Sequence, residues 1–558
     1  MKHPKISIAI LIAMTILLSP IQAFGAQDSS LTDNTVIKLS GDMVTGGNIF
    51  SYDISPDGKY IIFLADKDID DKIELYSVNL HTLDIIKLNE EMTDDNDVTN
   101  ILISADSQWV VYSVNTNSGG RYLRSVPIGG GNSRNITHPF LQAGRFTTNF
   151  EITPDSAYVI FTVDYSTENF YELYKSPITG VYLAFPPNPS VLPVKLNGDL
   201  PTDHDISDFD VSPDGNFIIF LARAGGYSRS VWRIPIDGGT NTKISTEVSG
   251  FAIRNFLISP NNNFVVYQMK DYGSDYDRLY SVLSNGGTAT RLDNPSLSEG
   301  VIKQYRITNG STYVVFTGSL NDASKLELYS APISGPTASM IKLNNNFVSG
   351  GNIDCGIDNE YYDFAISSDS AQVVYCADAF VDGRYEIFKR SVSGGSVVTR
   401  LSQVPTAGNG AYVFQISPDN SRVLYYGKFD DETYYKGYSL PINGGTPVQL
   451  ASFSSSIQRS VWWMTISPDS TYVVLMIGTS LSGTEGYRLY KTALSGGLAG
   501  NMTPNPTNTE HVWFRIQSIT PDSQKVIAIS DMDTDDVFEL FMIEYNLPQV
   551  FLPTTIKP

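Results

Sequence analysis

A short signature recurs ten times along the chain, and this repetition constrains the fold more than any other feature. Each copy is an apolar residue, Ser or Thr, usually Pro, usually Asp, and then Gly, Ser or Asn, followed by a strand-forming run. The copies begin at Ile54, Ile103, Ile152, Val211, Ile258, Ile307, Ile366, Ile416, Ile466 and Ile519. From one Ser or Thr to the next the steps are 49, 49, 59, 47, 49, 59, 50, 50 and 53 residues. Composition agrees with short strands and many turns: Gly 44, Pro 29, Tyr 32 and Phe 27 do not suit long helices, and a helical bundle is excluded.

Each unit reads as four antiparallel strands. A brief alternation such as Phe209-Asp210-Val211 precedes the signature, and a β-branched and aromatic run such as Tyr60-Ile61-Ile62-Phe63-Leu64 follows it. Pro presets φ and Asp bonds its own backbone, so the signature is a tight turn between strands one and two. A polar loop leads to a third strand, Glu74-Leu75-Tyr76-Ser77-Val78, then to a Gly-Gly turn such as Asp237-Gly238-Gly239. A fourth strand such as Ile85-Ile86-Lys87-Leu88 ends the unit.

A sheet of this size has two apolar faces and cannot stand alone; radial stacking yields a β-propeller. The predicted fold class is all-β, a β-propeller of about ten four-stranded antiparallel blades over residues 27–547, with a tail at 548–558. The tenth unit supplies three strands and no fourth. Near the N-terminus stands an orphan strand, Thr35-Val36-Ile37-Lys38-Leu39, which matches the fourth strands Val194-Lys195-Leu196 and Ile341-Lys342-Leu343. It is predicted to complete the last blade and close one ring; two smaller propellers are the alternative. Units one, four, seven and ten also stand 157, 155 and 153 residues apart, and Gly46-Gly47-Asn48-Ile49 recurs as Gly350-Gly351-Asn352-Ile353, which suggests growth by duplication of three blades.

Residues 1–26 have the layout of a secretory signal peptide: Lys2 and Lys5, an apolar run from Ile6 to Leu18, and the small residues around Ala23 and Ala26. An exported protein, periplasmic or extracellular, is expected. Membrane insertion is not, because no later window reaches the ~20 apolar residues of a spanning helix. Export places Cys355 and Cys376 in an oxidising compartment, and a disulfide between them is expected over two free thiols. The net charge of −21, without a Lys/Arg cluster, argues against a nucleic-acid partner.

The units resemble the WD40-like PD40 repeats of the TolB-like propeller family, also found in prolyl-oligopeptidase and tricorn-type proteins. Ser-Pro-Asp-Gly at 55–58 and 212–215, the runs 60–64 and 217–221, and the Asp-rich loop before Glu74-Leu75-Tyr76 carry the resemblance. It covers nearly the whole chain after the leader and implies the propeller fold, which serves scaffolds and enzymes alike. No Gly-x-Ser-x-Gly nucleophile elbow follows the last unit, so a peptidase is not expected.

Three sets of residues are candidates for function. First strands line a propeller's channel, and four residues before the signature Ser or Thr stand Ser51, Asn100, Asn149, Asp208, Asn255, Gln304 and Asp363. Two residues before it come Asp53, Glu151, Asp210, Arg306 and Gln415. This polar ring suits a peptide, a sugar or a cation, or simply a hydrated wall. Trp462, Trp463 and Trp513, near Arg459 and Arg515, suit stacking of a sugar or peptide, or interblade packing. Asp66, Asp68 and Asp70, repeated as Asp531, Asp533 and Asp535, have oxygen ligands at alternate positions as a Ca²⁺ loop does, although Asp also belongs in turns without metal. No other cofactor is expected. The favoured function is non-catalytic binding of a protein or extracellular ligand through the loop face and channel. A lyase or hydrolase on acidic glycans, which needs clustered histidines, and a surface-assembly protein are the alternatives.

Overall fold

The computed structural model describes residues 34–544 except 93–95, 118, 138–146, 166–169, 181–191, 199, 201–204, 224–228, 247–249, 272, 275, 294–299, 337–338, 356–362, 407, 431–432, 452–459, 479–485 and 504–512. The leader and the tail lie outside this range. Among the described residues, forty strands form ten four-stranded antiparallel sheets. No described helix is long and apolar enough to cross a membrane.

Nine sheets take their strands in sequence order; blade 1, for example, comprises Ile49–Ile54, Tyr60–Ala65, Glu74–Asn79 and Ile85–Lys87. The tenth contains Phe514–Ile519, Lys525–Ser530 and Glu539–Glu544, and its outer strand is Thr35–Lys38. That N-terminal strand pairs from Thr35 opposite Glu544 to Lys38 opposite Phe541. Leu39 N–H then donates to Leu540 O at 2.7 Å, as Leu343 does to Leu328 O at 2.8 Å in blade 6. Lys38 ion-pairs with the buried Glu539, the place Lys342 takes beside Glu327. The expected ring closure is therefore present, and blade 10 meets blade 1 where Ile49 N–H donates to Phe538 O at 2.8 Å.

Second strands are mostly apolar through their middle because neighbouring blades cover both faces; Ile61 to Phe63 and Val314 to Phe316 are fully buried. The core is thus a series of interblade clusters rather than one central nucleus.

The signature is a hydrogen-bonded device. In blade 1, Ser55 Oγ donates to Asp57 Oδ1 at 2.7 Å and accepts from Tyr60 N–H at 3.0 Å, while Asp57 Oδ1 accepts from Lys59 N–H at 3.1 Å. Blade 6 has Gly310 at the Asp position; Tyr313 N–H still donates to Thr308 Oγ1 at 3.1 Å, and Thr312 N–H donates to the same oxygen at 3.2 Å in place of the missing carboxylate. The next residue is left-handed, as at Ser107 (φ 59°) and Ser523 (φ 60°). Its side chain accepts a backbone N–H from the preceding blade's turn: Asp57 N–H to Ser107 Oγ, Asn261 N–H to Ser311 Oγ and Asp469 N–H to Ser523 Oγ are each 3.0 Å. Two junctions have glycine there instead, Gly58 and Gly215, each set against a proline of the preceding turn.

Blade 7 departs from the pattern. Ile353 pairs with Ala377, but the strand resumes only at Phe364–Ile366, opposite Val373 to Tyr375. The expected disulfide is present beside this interruption: Cys355, two residues after Ile353, is bonded to Cys376 of the second strand, with Cα atoms 5.5 Å apart. The Gly-Gly-Asn-Ile repeats have one local structure: Asn48 and Asn352 donate their backbone N–H to Asp66 and Asp378, and their side-chain oxygens accept Phe538 N–H and Leu326 N–H of the preceding blade.

Candidate binding face at the channel mouth

The first strand of every blade is innermost. Signature turns and the hairpins between strands three and four share one face of the ring. The loops between strands two and three, and the interblade connections, share the other, called here the loop face. First strands begin at the loop face, and nine of them begin with a register shift. In blade 1, Ile49 faces Ala65 and Ser51 faces Leu64, leaving Phe50 outside the ladder. The corresponding extra residues are Ser207, Arg254, Lys303, Tyr412 and Trp462, five positions before each signature Ser or Thr. A bulge re-aims its side chain. Phe50 on blade 1 remains 44 % exposed and Trp462 on blade 9 37 %, and Arg254 and Lys303 on blades 5 and 6 are exposed at the equivalent positions.

The polar positions next along the strands largely bond one another across blade junctions. Asn149 Nδ2 donates to Asp208 Oδ1 at 3.1 Å, Tyr305 O–H to Asn255 Oδ1 at 2.8 Å, and Gln304 Nε2 to the buried Asp363 at 3.3 Å. Lys303 Nζ reaches the same Asp363 oxygen at 2.9 Å, and Gln415 Nε2 donates to Met464 O at 3.0 Å. Asn100 is exposed on blade 2, and the Arg306 guanidinium lies 5.6 Å over the Phe364 ring. Glu151 accepts Val211 N–H at 2.9 Å. Its burial, then the neighbouring Asp210 carboxylate, pushes its pKa up to about 8; burial, then Asp208, pushes Asp210 up to about 6. Acid groups thus crowd the channel wall between blades 3 and 4, and the crowding favours their protonated forms.

On blades 8 to 10 the mouth is aromatic. Tyr412, Tyr435, Trp462, Tyr487 and Trp513 form a run with successive centroids 5.1, 6.0, 6.0 and 5.2 Å apart. They sit at the loop-face ends of first and third strands, and Trp513 is 39 % exposed. Lys428 Nζ stands 4.5 Å over the Tyr435 ring. Gly478 makes room for one indole: a Cβ there would lie 2.6 Å from Trp462 Nε1. Trp463, by contrast, turns into the wall and donates from Nε1 to Thr465 Oγ1 at 3.2 Å. Arg459 and the Arg515 side chain lie outside the described residues.

Asp66, Asp70 and Asp71 can bring one carboxylate oxygen each within 4.8 Å of the others. Asp68 instead meets Lys67 at 3.3 Å. Asp66 is tied to structure: Oδ1 takes Asn48 N–H and Oδ2 takes Asp71 N–H at 3.3 Å. In the last blade, Asp531 accepts Trp513 N–H at 2.6 Å and Asp533 pairs with Lys38 at 3.0 Å, while Asp535 adds no third ligand to a cluster among the described residues. His81 sits in the hairpin after strand three, at the face opposite the loops. His138, His204 and His511 lie outside the described residues.

This architecture defines a ten-bladed β-propeller. No family model matches the chain, and no curated protein matches it. Among solved structures it is similar to dipeptidyl peptidase 4 of Porphyromonas gingivalis, at 10 % identity and a TM-score of 0.46 over 88 % of this chain and 65 % of that one. It is also similar to an oligogalacturonate lyase in complex with manganese, at 15 % identity and 0.34 over 66 % and 95 %. A putative TolB from Agrobacterium tumefaciens matches at 20 % identity and 0.27 over 44 % and 79 %. Likenesses at this level assign no activity to the chain.

Proposed function

We propose that this protein is an exported, non-catalytic binding propeller that takes a sugar or an extended peptide on its loop face at the channel mouth. Export rests on the leader-like segment 1–26. The observation that carries the binding reading is the aromatic run Tyr412, Tyr435, Trp462, Tyr487 and Trp513, which crosses three blades and keeps both indoles more than a third exposed. Aromatic faces held rigidly by a scaffold gain stacking energy at little conformational cost. The bulges of blades 8 and 9 supply Tyr412 and Trp462, so the platform is built into the strands rather than left on free loops.

Tryptophan emission tests the reading directly. Titration with a panel of oligosaccharides and extended peptides should give a saturable change with at least one member. Trp462→Ala and Trp513→Ala should each weaken it by tenfold or more, because a stacked residue contributes roughly 1–3 kcal/mol at such sites. Gly478→Ala, which displaces the Trp462 indole without removing it, should weaken it too. Binding unaffected by all three substitutions, or no binding across the panel, would reject the platform.

A further inference from the structure

We propose that a cationic pocket between blades 4 and 5 is a binding site for a small ligand carrying two or more oxyanion groups, carboxylate or phosphate. The cavity, of about 350 Å³, is lined by Arg223, Arg229, Arg254, Lys270, Asp271 and the apolar pair Ala252 and Ile253. Four cations converging on one pocket stand out in a chain whose net charge is −21.

The fold holds these groups together against their own repulsion. Arg223 ends the second strand of blade 4 (Phe217–Arg223) and Arg229 begins the third (Arg229–Pro235), and the two are direct cross-strand partners. Like charges placed opposite each other destabilise a ladder, and Asp205, opposite Arg223 on its other side, offsets part of that repulsion. Arg254 is the bulged residue of the first strand of blade 5, turned out of the ladder toward the same cavity. Among the described residues, the side chains of Arg223, Arg229 and Arg254 make no hydrogen bond and no salt bridge within 4.0 Å.

Acid groups stand nearby and face the same cations: Asp205 lies opposite Arg223 in the ladder and acts on Arg223 and Arg229, Asp208 acts on Arg229, and Asp277, opposite Lys270, acts on Lys270 and Arg254, while their oxygens also take bonds from other groups. Asp271 accepts Gly273 N–H at 3.0 Å and the Ser274 hydroxyl at 3.1 Å; Asp205 accepts Tyr171 N–H at 2.8 Å. Asp277 accepts Ile302 N–H at 3.1 Å, and Asp208 takes Phe209 N–H and Asn149. They temper the local field and leave the guanidinium donors unfilled. Planar guanidiniums match carboxylate and phosphate oxygens two at a time, and a cavity of this size suits a small organic anion whose frame rests on Ala252 and Ile253.

The site lies on blades 4 and 5, separated from the aromatic run by blades 6 and 7, so it goes beyond the stacking platform and does not depend on it. Calorimetric titration of the full chain at low ionic strength, with citrate as the carboxylate probe and pyrophosphate as the phosphate probe, tests it. Saturable binding of at least one probe is expected, weakening as salt is raised. Arg229→Gln together with Arg254→Gln should reduce it tenfold or more, while Lys59→Gln, on a signature turn at the opposite face, should leave it unchanged. Tighter binding of citrate would assign carboxylate ligands, and tighter binding of pyrophosphate would assign phosphates. No saturable binding of either probe, or equal binding by the double variant with an unchanged circular dichroism spectrum, would overturn the proposal. Neither result touches the Trp462 and Trp513 emission that reports on the other face.

Discussion

Leu39→Ala should open the ring at one place. Leu39 is 1 % exposed and packs with Ile49, Ile61, Leu540 and Met542 at the seam between blades 10 and 1. Truncating such a leucine costs about 2–5 kcal/mol, and the four-pair ladder from Thr35 to Lys38 has little reserve against that loss. Leu343→Ala is the matched control, since Leu343 occupies the same position on the outer strand of blade 6 and is 0 % exposed. Both should lower global stability by a similar amount. They should differ in what opens first, because the outer strand of blade 6 follows its third strand directly, whereas Thr35–Lys38 is joined by chain only to blade 1. A loss near 3 kcal/mol corresponds to amide exchange faster by on the order of a hundredfold. In Leu39→Ala this acceleration should be concentrated at Glu539–Glu544 and Ile49–Ile54, as hydrogen exchange read by mass spectrometry will show. If exchange rises evenly through all ten blades, or if Leu343→Ala loosens the same seam, the N-terminal strand is not the closure.

Two further outcomes follow from the turns and the channel wall. Ser523→Ala should lower the thermal midpoint more than Ser523→Gly: both lose the bond from Asp469 N–H, worth about 0.5–1.5 kcal/mol, but glycine relieves the left-handed backbone that alanine keeps under strain. Equal midpoints would refute this account of the signature. Glu151 carries a folded pKa near 8, above its unfolded value, so the stability it contributes is fully present below the unfolded pKa and is lost as pH rises toward 8. Glu151→Gln, which keeps an acceptor for Val211 N–H, should therefore gain in midpoint over the unsubstituted protein as pH rises from 5 to 8. A gap that does not widen over that range would show that Glu151 is not the group responsible.

What could be read from the chain was what local chemistry repeats. The Ser-x-Asp signature fixes a turn through bonds spanning five residues, so its period gave the blades, and Lys38-Leu39 could be recognised as a fourth strand because Lys and Leu each meet a fixed partner there. The bulges were not legible in the same way. A register shift depends on which backbone groups pair across two strands, and alternation of apolar residues looks the same with or without one extra position; only the exposure of Phe50, Arg254 and Trp462 betrays it. The polar positions fall on first strands, but their bonding was not legible, because Asn149 and Asp208 are 59 residues apart and meet only once the blades are stacked. The same holds for Asp66 and Asp531. Their spacing suggests ligands, yet each carboxylate anchors the backbone that leads into a first strand, a demand created by the neighbouring segment rather than by the loop itself. Both proposed binding sites thus lie where the repeat is broken by side-chain identity. Arginine on one bulge and tryptophan on another turn equivalent backbone positions into chemically different parts of one mouth.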